Sequence, residues 1–159
     1  MNVARIHRHG GPEVLTYEQT PEPQIKANEL LVRVRACALN HLDLWVRRGI
    51  PGMQFAMPHI LGSDISGEVV EAGKLCERVR PGERVLLSPG LSCRQCAECF
   101  SGRDNFCRRY TMFGYGVDGG NAEYMAVPEY TAIPIPDELT FEEAAAVPLV
   151  FLTAWHMLF

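Results

Sequence analysis

The sequence predicts a mainly β fold, a barrel or sandwich of short strands that carries a metal-binding loop. Strand-like runs recur along the 159 residues, and glycine or proline brackets most of them. This punctuation is typical of all-β domains and unlike that of layered α/β sheets. In addition, four cysteines fall close together in the chain, near enough for their thiolates to surround one metal ion.

The strands are predicted from short apolar runs. Residues 30–36 alternate apolar and charged side chains over most of their length, as a half-buried strand does. Similar shorter runs occur at 67–70, 85–87, 123–127 and 131–135. Turns are expected between them, at pairs such as Pro-Gly and Gly-Gly.

One short helix is predicted over residues 41–48. Asn40 stands where a side chain can cap the free N–H groups of its first turn. Asp43 places a negative charge in that turn, and Gly49 follows the last helical residue.

A second helix is predicted to begin after Thr140. Thr140 and Glu143 have the spacing of a capping box. The helix is expected to reach Ala146, after which Pro148 interrupts or restarts it. The stretch 144–159 carries no Asp, Glu, Lys or Arg, so it predicts an apolar surface that associates with a partner or with a second copy of the chain.

Composition and charge narrow the class of protein. The chain is 47% hydrophobic and 21% charged, with a formal net charge of -4, which argues against a nucleic-acid or anionic-membrane partner. Residues 1–5 lack the apolar core of a signal peptide, so the six cysteines predict a cytoplasmic, metal-binding protein rather than a disulfide-linked one. Cys37 and Cys76 are interpreted as small buried residues.

The other four cysteines predict a structural zinc site. Cys93, Cys96, Cys99 and Cys107 follow the spacing C-x2-C-x2-C-x7-C. Four protein ligands fill a tetrahedral zinc and leave no position for water or substrate, so the metal would be structural. The seven-residue gap does not suit an iron–sulfur cluster, and a redox pair would not account for the third and fourth thiols.

Several motifs together resemble the N-terminal half of a zinc-type alcohol dehydrogenase of the medium-chain dehydrogenase/reductase superfamily. Besides the cysteines, they are 10–15, 40–43, 58–64, 67–73, 81–85 and 122–124. The resemblance covers the whole chain and implies a GroES-like, partly open β-barrel. It implies a substrate domain at 1–146 with a structural zinc lobe at 93–107, and a junction from 147–159 to a coenzyme domain absent from this chain.

The chain departs from that family at the catalytic zinc. The resemblance aligns the first two ligand positions with Asn40 and Ser63, and the third best with Leu149. Asparagine and serine are weak, neutral zinc ligands, and leucine is none. We therefore expect no catalytic zinc, although His41 and His59 leave open a rebuilt metal site of different geometry.

The positions aligned with the family's proton relay, Leu42 and Trp45, are also apolar. The chain thus resembles the zinc-independent quinone and enoyl reductases of the superfamily, whose small substrates are reduced with the help of hydrogen-bond donors instead of a metal. Asn40, Asp43 and Ser63 are the candidate catalytic residues. Each also has a purely structural interpretation, as a helix cap, a first-turn charge and a turn residue.

The coenzyme, NADH or NADPH, is expected to bind through the missing domain. The sequence has no G-x-G-x-x-G, and the glycines of 114–120 are interpreted as turns. His41 aligns with a coenzyme-phosphate contact, or is simply an exposed first-turn residue. The prediction is a substrate domain of an oxidoreductase. The alternatives are a stand-alone zinc-stabilised interaction module and a zinc-dependent alcohol dehydrogenase with a rebuilt site.

Overall fold

The computed structural model describes all 159 residues as ten strands and four helices. The strands are β1 (Asn2–Ile6), β2 (Leu15–Gln19), β3 (Glu29–Ala38), β4 (His59–Ile60), β5 (Asp64–Ala72), β6 (Arg84–Leu87), β7 (Gly90–Leu91), β8 (Thr111–Met112), β9 (Tyr124–Pro128) and β10 (Ala132–Pro134). The helices are α1 (His41–Arg48), α2 (Ala97–Phe100), α3 (Phe141–Ala145) and α4 (Pro148–Leu158).

The strands form three antiparallel sheets. The largest has five strands in the order β10-β6-β5-β3-β9, and β2-β1-β4 and β7-β8 form the two others. The predicted mainly β fold is confirmed. The sheets contain no parallel pair of named strands, which a strand–helix–strand dinucleotide-binding unit would require.

The predicted strands are present, with boundaries shifted by a few residues. The run at 67–70 is the middle of the longer β5, because pairing with β3 extends to Asp64. The run at 131–135 begins one residue later, since Glu129–Thr131 forms a tight 3-10 turn. The strand-like run at 30–36 lies within β3, which continues to Ala38.

Two apolar clusters hold the barrel together. Eleven buried side chains pack on one face of the five-stranded sheet, among them Leu30, Val69 and Leu87. A second cluster joins α1 to the first sheet through Ile6, Leu42, Val46 and two further side chains. Because burial of such side chains is the main favourable term in folding, these clusters determine where α1 sits against the sheets.

The helix ends follow the local sequence closely. α1 has the predicted bounds, and Asn40 and Asp43 form a capping box at its start. α3 begins after Thr140 with the predicted capping box to Glu143. Pro148 occupies the first turn of α4, so the proline restarts the helix instead of ending it.

Helix α4 lies largely exposed at the edge of the molecule. Residues 150–159 are all exposed, including Phe151 and Trp155, which are 64% and 66% accessible. Such a run of exposed apolar residues is unusual for the surface of a folded domain. None of the helices is both long and apolar enough to cross a bilayer.

Candidate metal centre and substrate site

The four predicted zinc ligands come together in one lobe. Cys93 follows β7, Cys96 precedes α2, Cys99 lies within it, and Cys107 ends the 3-10 turn Asp104–Phe106. Their sulfur atoms all lie within 4.8 Å of one another. The Sγ atom of Cys99 is 3.8 Å from that of Cys93 and 3.5 Å from that of Cys96.

The two shorter sulfur–sulfur distances, 3.8 and 3.5 Å, are close to those of a tetrahedral zinc site. Four sulfurs about 2.3 Å from one zinc ion would lie about 3.8 Å apart. The Cys107 sulfur also accepts hydrogen bonds from the backbone N–H groups of Cys93 and Arg109, each at 3.4 Å. Outer contacts of this kind orient metal ligands and favour the thiolate. The lobe therefore has the donor set, spacing and hydrogen bonds of a structural zinc site.

Hydrogen bonds within the lobe shift the thiol pKa values in opposite directions, lowering that of Cys93 and raising that of Cys96 to about 11. A backbone hydrogen bond at Gln95, with a smaller contribution from the Arg109 side chain, lowers the pKa of the Cys93 thiol to about 6. The contact with Cys93 in turn raises the pKa of Arg109. Two other arginines of the lobe are engaged elsewhere: Arg103 pairs with Glu98 at 3.0 Å, and Arg94 stacks over an aromatic ring.

The second candidate site lies where β3, β5 and α4 meet. The register of β3 on β5 pairs Ala38 with Asp64, which brings Asn40 beside the start of β5. The Nδ2 group of Asn40 donates to Asp64 Oδ2 at 2.9 Å. The other oxygen of Asp64 accepts the backbone N–H of Leu149 at 2.6 Å. We call these two hydrogen bonds the Asp64 bridge.

The bridge connects two of the three positions that the resemblance aligns with catalytic zinc ligands, Asn40 and Leu149. Asp64 directly follows the third, Ser63, within the segment that carries the resemblance. The sequence interpretation did not single out Asp64. Its position next to an aligned ligand position was the available signal, but its two partners are distant in the chain.

Asp43 also stabilises the region around Asn40, through hydrogen bonds to the backbone. Its carboxylate accepts the backbone N–H of Asn40 at 2.8 Å and that of Gly62 at 2.9 Å. Burial raises the pKa of this carboxyl, and the negative charge of Asp64 adds to the rise, while the two backbone hydrogen bonds oppose it. Asp43 is therefore engaged in fixing the cap of α1 and the turn before β5.

The remaining predicted residues differ in accessibility. Ser63 is fully buried, and its hydroxyl donates to the backbone oxygen of Phe113 at 2.6 Å. His41 is exposed and packs edge-on against Trp45. His59 is buried, with Nδ1 3.6 Å from a carboxylate oxygen of Asp118. Among histidine, cysteine, aspartate and glutamate side chains, only the four thiols form a group of three or more that could hold one metal ion.

A groove of about 540 Å³ separates α4 from the zinc lobe. Leu149, Leu152 and His156 line it on the helix side, and Asp104 and Asn105 line it on the lobe side. Asn105 Nδ2 is 3.2 Å from His156 Nε2. The groove combines apolar and polar walls, as sites for small organic molecules do.

The fold and the thiol cluster define a class: an antiparallel β-barrel domain that carries a four-cysteine metal centre. Residues 26–137 match the family described as the alcohol dehydrogenase GroES-like domain. The chain belongs to this family, and it corresponds to the N-terminal domain of zinc-type, alcohol dehydrogenase-like oxidoreductases. The family resemblance and the GroES-like fold predicted from the motifs are thereby confirmed.

Similar proteins support this assignment. The chain is 35% identical to an alcohol dehydrogenase of Geobacillus stearothermophilus over 91% of this chain and 43% of that protein. The crystal structure of an NAD-dependent alcohol dehydrogenase superposes with a TM-score of 0.95 at 46% identity, over 99% of this chain and 46% of that one. A cobalt- and zinc-bound thermostable alcohol dehydrogenase from Pyrobaculum aerophilum gives 0.90 at 33% identity, over 99% and 47%. The chain spans less than half the length of each.

Proposed function

We propose that this chain is the substrate domain of an NAD(P)H-dependent oxidoreductase that reduces small carbonyl, enone or quinone compounds. It would hold one structural zinc ion and no catalytic one. The observation that carries this proposal is the Asp64 bridge. The positions aligned with catalytic zinc ligands offer no thiolate or imidazole, and two of them are joined by hydrogen bonds through a carboxylate.

The structural role of the zinc ion follows from how little else stabilises the lobe. Within residues 93–107 only Cys107 is buried, while Phe100 and Phe106 are 79% and 65% exposed. Apolar burial therefore contributes little to ordering this segment. Zinc held by Cys93, Cys96, Cys99 and Cys107 would supply that free energy, as it does in other small metal-clamped folds.

Among the candidate catalytic residues, Asn40 is best placed to contact a substrate. Reduction of a carbonyl or enone develops negative charge on oxygen, which a fixed N–H donor stabilises. The amide of Asn40 gives one of its two hydrogens to Asp64, which leaves the second as a donor. Ser63 and Asp43 use their polar atoms inside the protein, so we assign them to holding Asn40 and the turn before β5.

The coenzyme does not fit among the residues of this chain. A dinucleotide site needs a glycine-rich turn between a parallel strand and a helix, and every sheet here is antiparallel. We propose that NAD(P)H binds outside these residues, with exposed His41 as the one candidate contact to its phosphates. A cytoplasmic location remains part of the proposal.

Metal and coenzyme titrations test this function. We expect one zinc ion per chain by inductively coupled plasma mass spectrometry, and none after Cys93→Ser. The substitution Cys76→Ser, at a half-buried thiol outside the lobe, is the matched control and should retain the metal. Two zinc ions per chain would contradict the absence of a catalytic zinc and favour a rebuilt site. Saturable quenching of NADPH fluorescence by this chain would contradict a coenzyme site outside it.

The exposed helix α4 favours a second candidate function, an interaction module. Its apolar side chains, including Phe151 and Trp155, would be covered by a partner or by a second copy of the chain. Multi-angle light scattering should then detect discrete dimers that Trp155→Asp dissociates. A monomer at all concentrations would count against self-association.

A further inference from the structure

The carboxylate of Asp64 is an unexpected feature of the barrel, because it is buried and has no cationic partner. The residue is 2% exposed, and no lysine, arginine or histidine forms an ion pair with it. A buried carboxylate without a cation persists only when N–H groups satisfy its oxygens. Here the two N–H donors come from Asn40, just before α1, and from Leu149, in the first turn of α4.

On the side of α1, Asp64 determines which way the amide of Asn40 points. The Oδ1 atom of Asn40 accepts the backbone N–H of Leu42 at 3.1 Å, and Nδ2 faces Asp64. A carboxylate accepts hydrogen bonds and a backbone N–H donates them, so the reversed amide would lose both bonds. The second hydrogen on Nδ2 therefore has one defined direction.

On the side of α4, Asp64 acts as a helix cap supplied by another element. Val147 occupies the N-cap position of α4 and has no side-chain acceptor. The N–H of Leu149 would otherwise be one of the unsatisfied groups at a helix start. Asp64 satisfies it at 2.6 Å, and its negative charge is favourable near the positive end of the helix dipole.

We propose that Asp64 is a positioning residue, whose one carboxylate fixes both the donor direction of Asn40 and the start of α4. Leu149 lines the groove between α4 and the lobe. The bridge therefore holds the Asn40 N–H donor at a fixed position relative to that groove. The use of the Asn40 donor on a substrate oxygen rests on the proposed function. The bridge itself does not, and the two can be tested separately.

The bridge can be tested by exchanging the carboxylate and the amide between positions 64 and 40. Asn40 and Leu149 donate to different oxygens of Asp64, and in Asp64→Asn one of these positions becomes an NH2 group, so the new amide can accept from one of the two donors only. In the double variant Asn40→Asp/Asp64→Asn the roles are reversed: residue 40 accepts from Leu42 and from the new amide, whose oxygen accepts from Leu149. The double variant thus restores both links of the bridge but removes the donor of residue 40.

Hydrogen exchange of this chain measures the bridge directly. We expect Asp64→Asn to raise the exchange rate of the Leu149 amide, because its charged acceptor is replaced. The rise should be about tenfold if the new oxygen turns to Asn40, and smaller if that oxygen stays on Leu149. It should also shift the side-chain amide resonances of Asn40. The double variant should return the Leu149 rate to within about threefold of the parent. Unchanged Leu149 exchange together with unshifted Asn40 side-chain resonances in the folded single variant would overturn the proposal.

Two further measurements, circular dichroism of the variants and a ligand titration of the parent, complete the test. If Asp64→Asn is unfolded by circular dichroism, recovery of the fold in the double variant supports the bridge, and failure of both variants overturns it. Titration with cyclohex-2-enone then tests what the donor does: the Asn40 side-chain resonances of the parent should shift on binding. If they do not, while the exchange results hold, the substrate role under the proposed function fails and the positioning role of Asp64 stands.

Discussion

Removal of the metal should disorder the lobe and leave the barrel folded. In the substitution Cys107→Ser, the chain loses the one buried thiol of the cluster, whose sulfur also accepts two backbone N–H groups. Structural zinc in small folds contributes about 10–16 kcal/mol of apparent binding free energy. Nothing in the lobe replaces this contribution, since its two phenylalanines, Phe100 and Phe106, are largely exposed.

Loss of the metal should destabilise the lobe much more than the barrel. The buried cluster of the five-stranded sheet includes no residue of the lobe. The joint between lobe and barrel includes a hydrogen bond from Tyr130 to the Ser92 backbone and stacking of Arg94 on Tyr130, together worth about 1–2 kcal/mol. We therefore expect the Tm of the barrel to fall by only about 2–8 °C, while lobe amides lose at least about a hundredfold in exchange protection.

Hydrogen–deuterium exchange with mass spectrometry separates the two effects. Peptides covering 93–109 should exchange rapidly after Cys107→Ser or after chelation under reducing conditions, and peptides of β3 and β5 should not. Cys76→Ser serves as the control that retains the metal. Unchanged exchange of the lobe after demonstrated zinc loss would refute the reasoning, as would cooperative unfolding of lobe and barrel together.

Three further outcomes follow from burial, capping and packing. Burial raises the pKa of the Cys37 thiol to about 12. Iodoacetamide at pH 8 should therefore leave Cys37 unmodified in the native protein and label it only after unfolding, which peptide mapping measures. Labelling of Cys37 in the native protein would contradict the raised pKa. A hydrogen bond from the backbone of Thr140 lowers the pKa of Glu143, so its cap stabilises α3 above the unfolded pKa near 4.5 and is lost as the pH falls through the lower folded value. In urea titrations, Glu143→Gln should thus be less stable than the parent at pH 6, with a smaller difference at pH 3; an equal difference at both would argue against the ionised cap. Leu87→Ala, at a fully buried site, should lower the free energy of unfolding by about 2–5 kcal/mol, whereas Leu75→Ala, 66% exposed, should change it by less than about 0.5 kcal/mol.

Local patterns in the sequence predicted the two helix caps and the thiol cluster, which depend on residues close together in the chain. The bounds of α1 follow from an asparagine cap and a terminal glycine, and α3 begins after the predicted capping box. The four thiols lie within one short loop, so their spacing alone brings them together. In each case the partners lie within fifteen consecutive residues, and the short chain between them leaves few alternatives.

Strands with weak local signals were not predicted. The first sheet contains β1, β2 and the two-residue β4, and the short pair β7-β8 adjoins the metal lobe. These segments are too short or too mixed in polarity to show a clear alternation. They become strands because their backbone groups find partners across the sheet, and the sequence does not display those partners locally.

The sequence by itself determined the family, the mainly β fold, the metal-binding lobe and the helix caps, because short-range geometry and recognisable motifs carry that information. Only the tertiary structure decided that Asp64 joins Asn40 to Leu149, which lies 85 positions beyond Asp64 in the chain. It also decided that the hydroxyl of Ser63 donates to the backbone of Phe113. These contacts arise from the register of β3 on β5 and from where α4 packs. Sheet register depends on many weak long-range pairings, so no single residue in the sequence predicts it.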